Sequence, residues 1–494
     1  MKLVTARQMQ ELDRQTIQID RVAQKTLMSR AGQALAKVAR SMLPKRGYVL
    51  ILAGPGNNGG DASIAGDLLK RAGHHVDVVR IDSKFKIQNS KYEKADLVID
   101  GLFGIGLSRP VKGEFKQAID SLNRASRAQP GLRVLSVDIP SGLNADTGRP
   151  MGAAVAADVT VTFGLPKLGL VQQAAADFVG KLIVADIGFS SQRVEKIKSA
   201  AELLTKTEIR PLVRPRKPGS YKGDYGHVLV VAGSVGLHGA AWITAHGALA
   251  AGAGLVTLAV PRSIYPIVAG QCRQVMVAPI EDDGAGHFTK NSWKHLQPLL
   301  AKKSAVAAGP GLGRAAATLD FLESFLAECR TALVLDADAL TLLAGRMKIL
   351  RGLKASPILT PHPGEMARLS KTTSHRVQED RMKTAAAFAS RHNTILVLKG
   401  ARTVIAEPSG PIWVNSTGNA GLASGGSGDV LTGVIAGFAG QQRTAADAAK
   451  LGVFIHGLAA DQIAGDPIVT GIKVEELLKT IPDALRSLLS SSRS

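Results

Sequence analysis

Cysteine, aromatic side chains and long apolar runs are all scarce in this chain of 494 residues, and each shortage rules something out. The two cysteines, Cys272 and Cys329, cannot make a disulfide framework, so a reducing, cytoplasmic setting is expected. Aromatics make up 4% of the residues, which leaves few stacking platforms for single-stranded nucleic acid. No uncharged apolar stretch reaches the about 18 residues a membrane span needs, so no membrane partner is expected. The nearest candidate, AGLASGGSGDVLTGVIAGFAG, is rich in glycine and short of bulky apolar residues. The N-terminal MKLVTARQMQELDRQTIQID lacks an apolar core and reads as an amphipathic helix, not a signal peptide.

What is present is globular. Hydrophobic residues reach 45% and charged ones 20%, enough to fill large cores. The length implies two or three domains. The net charge is +21, with 29 Lys and Arg against 18 Asp and Glu up to residue 200, and 32 against 22 beyond it. Spread so evenly, the excess describes a basic surface that attracts phosphate-bearing small molecules. A nucleic-acid site would need clustering, so no nucleic-acid partner is expected.

The first 46 residues are helical, with Leu27, Ala31, Leu35 and Val38 at helical spacing. Short β-branched runs follow at 48–54, 74–81, 95–104, 133–142 and 157–164, separated by helical stretches. This is the alternation of a parallel sheet with helices on both faces, whose ligands bind at the carboxyl ends of the strands. Residues 187–218 gain charge and proline and hold no evident strand, so the domain boundary falls near residue 200. A second alternation runs through 227–233, 255–260, 304–311, 332–340, 357–365, 394–400 and 402–406.

In the second domain, ASGGSGDVLTG (423–433) reads as a phosphate-gripping loop, yet it has no lysine and carries Asp429. A Walker A loop uses a lysine against phosphate charge. Here backbone N–H groups and a helix N-terminus would supply the positive field, leaving Asp429 to take a proton from an attacking hydroxyl. The competing reading is a glycine-rich helix start with Asp429 as a cap. AGPGLG (308–313) ends a buried strand in glycines; Asp336 and Asp338 in VLDADAL suit magnesium, ribose or helix capping. His362 lies between Pro361 and Pro363, with Glu365 at a helix start, and Lys399 and Arg402 share a tight turn fit for a nucleotide phosphate.

The first domain offers AGPGNNGGDA (53–62), DGLFGIGLSRP (100–110) and SVDIPSGLNADTG (136–148). The first leads from strand to helix, which favours an anion-binding nest over a hairpin. Asn58, Asp100 and Ser141 at three strand ends are hard oxygen donors, suited to an alkali or alkaline-earth ion. Arg109 stands ready for a phosphate, and Asp138 is the candidate catalytic group.

In order, KGDYGHVLVVAGS, GAGLVTLAV, GPGLG, LDADAL, TPHPGEMARL, LKGARTVIA, GNAGLASGGSGDVLTGVIAG and HGLAAD resemble the ADP-dependent NAD(P)H-hydrate dehydratase family, over residues 215 to 465. That resemblance implies a ribokinase-like α/β fold for residues 201–494. The chain departs from the family at Tyr221, where a histidine is usual. The three N-terminal motifs resemble the NAD(P)H-hydrate epimerase family and imply a Rossmann-like three-layer domain over residues 1–200; Ile105 stands where threonine is common. The tandem is similar to the bifunctional, YjeF-like bacterial enzymes.

The resemblance implies nicotinamide nucleotide repair. The first domain would interconvert the R and S hydrates, and the second would phosphorylate the S form at its C6 hydroxyl with ADP and eliminate phosphate. It gives Asn58, Asp100 and Ser141 to K+. It gives Asn57, Asn58, Gly59, Gly60, Asp61, Gly104, Ile105, Gly106, Leu107, Ser108, Arg109, Pro110 and Asp138 to the first domain's hydrate. In the second domain, Gly254, Gly311, His362 and Asp429 would meet the hydrate, while Lys399, Gly400, Ala401, Arg402, Thr403 and Gly428 hold the nucleotide, with Mg2+. A homo-oligomer is expected. Two other readings stay open: a small-alcohol kinase on the same fold, and an N-terminal module that only binds nucleotide or RNA.

Overall fold

The structure is a computed structural model describing residues 1–81, 90–353, 356–465 and 468–490. It divides into two compact units, Met1–Ala201 and Glu202–Ser494.

In the first unit six parallel strands lie in the order His75–Arg80, Tyr48–Ala53, Leu97–Gly101, Arg133–Val137, Val159–Phe163, Lys181–Ala185. Alternation along Tyr48–Ala53 feeds both faces. Val49, Ile51 and Ala53 pack with Leu27, Ala31 and Leu35 of helix Gln24–Met42 and with Ala62, Ala65 and Leu69 of helix Asn57–Arg71. Leu50 and Leu52 pack with Ile119 and Leu122 of helix Gly113–Ala128. Three layers result. The chain adds His75–Arg80 on one side of Tyr48–Ala53, then crosses over to add Leu97–Gly101 on the other, which opens a crevice at their carboxyl ends. The expected N-terminal amphipathic helix is Ala6–Gln18, started by a Thr5–Gln8 capping box and burying Met9, Leu12 and Thr16.

Two expectations need correcting. Helices do not separate all the strands: residues 138–158 form irregular loop, and only short turns precede Lys181–Ala185. Pro140 and Pro150 break helix there, and Gly142 turns the chain with φ +97. Strands Lys181–Ala185, Ala201–Leu204, Met276–Ile280 and Ile412–Asn415 were not legible as strands. They are short, and Met276–Ile280 contains Pro279, which its position at the sheet's end accommodates.

In the second unit parallel strands Ile395–Leu398, Ile358–Leu359, Ala332–Leu335, Ala305–Ala308, His227–Val231, Leu255–Pro261 and Met276–Ile280 are neighbours in that order. Val404–Ala406 and Ile412–Asn415 extend the sheet antiparallel beyond Ile395–Leu398. The glycine-rich run forms helix Ser427–Gly440, pressed against helix His238–Ala250. A Cβ on Gly433 would sit 2.0 Å from the Thr244 carbonyl oxygen, and one on Gly437 2.7 Å from that of Ala248. These glycines serve backbone contact. No helix among the described residues is long and apolar enough to cross a membrane.

Gly433→Ala gains about 0.5–1 kcal/mol of helix preference but overpacks a backbone contact, a cost of about 1–3 kcal/mol. The net expectation is a lower melting temperature by calorimetry; an unchanged or raised value would contradict the close-contact account.

Candidate functional site

The crevice of the first unit is a cleft of about 560 Å3. Helix Asn57–Arg71 starts at its rim, with Gly56 in the N-cap position and no side-chain cap, so free N–H groups point toward a ligand. Asn57, Asn58 and Asp61 of that helix line it, as do the run from Gly104 to Arg109 and Asp138. Gly104 must lack a side chain, because a Cβ there would stand 2.5 Å from Asn58 Oδ1. Among the expected residues Gly59, Gly60 and Pro110 do not line the cleft. Gly59 is instead packed on the Gly54 carbonyl, 2.1 Å from where its Cβ would be.

Asn58, Asp100 and Ser141 meet around Phe103. Asn58 Nδ2 donates to the carbonyls of Phe103 (3.0 Å) and Val137 (2.6 Å). The Ser141 hydroxyl accepts from Phe103 N at 2.8 Å and donates to its carbonyl at 3.3 Å. Asp100 is fully buried and accepts from the Ser136 hydroxyl and the Ser141 amide, both at 2.8 Å. Burial pushes its pKa up against these hydrogen bonds. The Asp100 carboxyl is thus buried among neutral donors, with no cation among its hydrogen-bond partners in the described residues.

Two charged groups of this cleft went unnoticed in the sequence. Lys167, 1% exposed, is ion-paired with Asp138 and donates to Thr162 Oγ1 at 3.0 Å. Asp13 lines the cleft from helix Ala6–Gln18, and burial raises its pKa to about 6. Lys167 follows strand Val159–Phe163 by four residues, so the strand-end rule applied once more would have found it.

The second unit gathers its polar groups at the carboxyl ends of its strands. Asp336, 1% exposed, takes Lys399 Nζ at 2.7 Å on one oxygen and the Thr432 hydroxyl at 2.6 Å on the other. It therefore does not cap the helix it precedes. A methyl group on Gly428 would lie 3.4 Å from Lys399 Nζ. The loop without a lysine thus receives one from another strand end. Asp429 is the third residue of helix Ser427–Gly440. Burial, then Asp336, raises its pKa to about 7, against the pull of Lys399.

Asp338 accepts from Gly313 N at 3.1 Å and Arg314 Nε at 2.9 Å, and so ties the Gly311 loop to the cluster. His362 caps its own helix: Nδ1 accepts from Gly364 N at 3.0 Å and Glu365 N at 3.3 Å. Burial lowers its pKa, as a ring nitrogen that accepts requires. Arg402, with φ +56, donates to the Ser416 carbonyl at 2.8 Å, so its guanidinium holds a neighbouring loop. Gly254 is not brought here. It precedes Leu255–Pro261, at the opposite ends of the strands, where a Cβ would be 1.7 Å from the Lys222 carbonyl oxygen.

Arg381 and His456 shape the site from a distance. Arg381 donates to the carbonyls of Leu398 (2.8 Å), Lys399 (3.1 Å) and Ala401 (2.5 Å), clamping the turn that carries Lys399, Gly400, Ala401, Arg402 and Thr403. Buried His456, its pKa lowered to about 4, is 2.9 Å through Nε2 from the Ser427 carbonyl. The neutral ring donates there, fixing the first turn of the loop helix.

A family model described as NAD(P)H-hydrate dehydratase matches residues 228–483, and one described as YjeF-related protein N-terminus matches 24–91 and 79–169. The bifunctional NAD(P)H-hydrate repair enzyme Nnr of Moorella thermoacetica is 39% identical, the alignment covering 99% of this chain and 97% of that one. The chain belongs to the family of bifunctional NAD(P)H-hydrate repair enzymes. The Escherichia coli member of this repair family is 34% identical, with 92% and 88% covered. The crystal structure of the Bacillus subtilis ADP/ATP-dependent NAD(P)H-hydrate dehydratase, co-crystallised with ATP and Mg2+, matches with 29% identity and a TM-score of 0.52. The match covers 58% of this chain and 99% of that one.

The raised Asp429 pKa has a stability consequence. Between an ordinary 3.8 and about 7 the folded chain keeps a proton that the unfolded chain releases, so stability falls as pH rises through this window. Asp429→Asn is expected to melt with the parent near pH 4 and at a higher temperature at pH 8. Identical melting curves at pH 8 would contradict the buried-carboxyl reading.

Proposed function

We propose that this chain repairs hydrated NAD(P)H in two steps, with the first unit interconverting the R and S epimers at C6 and the second removing water from the S form at the expense of ADP. The observation that carries the reading is Asp429, a half-buried carboxyl in a glycine-led helix start, with Lys399 close by. A phosphoryl group gripped by the N–H groups after Gly426 would face the Lys399 ammonium. Asp429 takes the proton of the C6 hydroxyl as that oxygen attacks phosphorus. Phosphorylation turns hydroxide into phosphate, a far better leaving group. Loss of phosphate and of a C5 proton restores the ring double bond, leaving AMP and phosphate as products.

Within this reading the Lys399 to Thr403 turn and Gly428 bind the nucleotide, with Gly311 and His362 beside the hydrate. Gly254 is left out, since it starts its strand at the far side of the sheet. Among the described residues no three His, Cys, Asp or Glu are grouped closely enough to hold a metal unaided. Mg2+ would therefore enter on the nucleotide phosphates, with a carboxylate of this cluster as its protein ligand. In the first unit Asn58, Asp100 and Ser141 would hold K+, which balances the Asp100 charge. The two cysteines are unpaired, which supports a cytoplasmic setting.

The test is to supply mixed hydrate epimers with ADP or ATP and follow the absorbance of the restored nicotinamide ring. Persistence of a phosphorylated product would favour a small-alcohol kinase instead. Asp429→Ala is expected to lose about 100-fold or more of dehydration and to keep epimerisation; near-normal dehydration would remove Asp429 from the chemistry. Asp100→Asn is expected to lose epimerisation and its potassium dependence together, and a fully active, potassium-independent parent would exclude the ion.

A further inference from the structure

Of the three carboxyl groups that line the first unit's cleft, Asp13, Asp61 and Asp138, the last two sit in opposite electrical surroundings. Asp138 follows strand Arg133–Val137 in a left-handed conformation, φ +65, a strained state for a non-glycine residue that persists only where neighbours enforce it. The neighbours are visible. One oxygen, Oδ1, receives the Lys167 ammonium, the Thr162 hydroxyl at 3.1 Å and the Phe163 amide at 3.2 Å. That leaves Oδ2 outside this network. Asp61, 6% exposed on helix Asn57–Arg71, is the reverse case: its Oδ1 is buried and has no hydrogen-bond partner among the described residues. Both line the same cleft. Burial first, then the charges of Asp138 and Asp13, raises the Asp61 pKa to about 8. A carboxyl tied to a buried cation and a carboxyl left without a donor are suited to different roles, the first as base and the second as acid.

We propose that Asp61 is the general acid and Asp138 the general base of a water-loss and water-return step that inverts C6, with Lys167 as the positioning residue for Asp138. This rests on the epimerase reading of the first unit. C6 of the hydrate carries a hydroxyl and is bonded to ring nitrogen N1. Asp61 gives its proton to the hydroxyl, the C6–O bond breaks, water leaves, and the N1 lone pair forms a C6–N1 double bond. C6 is then planar and has no handedness. A water adds to the opposite face, its electron pair forms the new C6–O bond, and the N1 pair returns to nitrogen. Asp138 takes the proton of that water. The cleft now holds ionised Asp61 and protonated Asp138, the arrangement the reverse inversion needs.

The test uses the full-length chain and purified R hydrate in water enriched in oxygen-18, with chromatography separating the epimers. The expected result is one heavy oxygen in each S molecule formed in a single turnover. Asp61→Asn and Asp138→Asn are expected to lose inversion by about 100-fold or more, while ADP-dependent dehydration of supplied S hydrate continues. Lys167→Met is expected to lose inversion too, and Lys167→Arg, which keeps the cation, to recover part of it. A parent chain that leaves R hydrate untouched overturns the epimerase reading and this proposal with it. A parent that inverts with its original oxygen retained, or an Asp61→Asn variant of normal rate, overturns the acid–base pair alone.

Discussion

A parallel sheet ends all its strands at one edge, and both units of this chain depend on that constraint. Side chains from distant stretches of sequence converge there. In the first unit Asn58, Asp100 and Ser141 come from the ends of three neighbouring strands; Asn58 and Ser141 both bond the Phe103 carbonyl, and Asp100 joins them through the Ser141 amide. In the second, Asp336, Glu365 and Lys399 belong to three strand ends, and Lys399 Nζ lies 2.7 Å from Asp336 and 4.0 Å from Glu365. Burial raises the energetic weight of each charge so gathered, because little water remains to screen it.

That gathering explains the unusual phosphate loop. A Walker A loop carries its lysine within the loop; this chain brings Lys399 from the end of Ile395–Leu398 to the face of Gly428. Freed of the cation, the loop can hold Asp429 where a nucleophile needs a base. Lys399 also tempers the basicity of Asp429, pulling its pKa down against burial and Asp336. In the proposed reaction one ammonium would serve both the anion and the base, and Arg381 holds its turn in place through three carbonyls.

Much of this was legible in the sequence because the signals are local. A strand–glycine–helix transition marks the loop at Asn57, a glycine run leading into a helix marks the one at Ser427, and the βαβ rhythm gives the sheets. What was not legible is long-range. Asp13, Arg381 and His456 act on residues distant in the chain, and nothing beside them in sequence announces it; Lys167 lies just past a strand end and was passed over. Gly254 came from the motif alone, although it directly precedes the 255–260 strand and so lies where that strand begins, not where the site residues gather. His362 was read as a candidate because prolines flank it; its imidazole proves to be the cap that starts its own helix.

The backbone contact between helices Ser427–Gly440 and His238–Ala250 sets the precision of the second unit's site. With the Thr244 and Ala248 carbonyls against Gly433 and Gly437, backbone meets backbone at these positions, with little side chain to act as a cushion. A sideways slip of either one must carry the other with it. The registry of the anion-gripping turn is therefore written two and three turns downstream of it, in a stretch that touches no ligand at all.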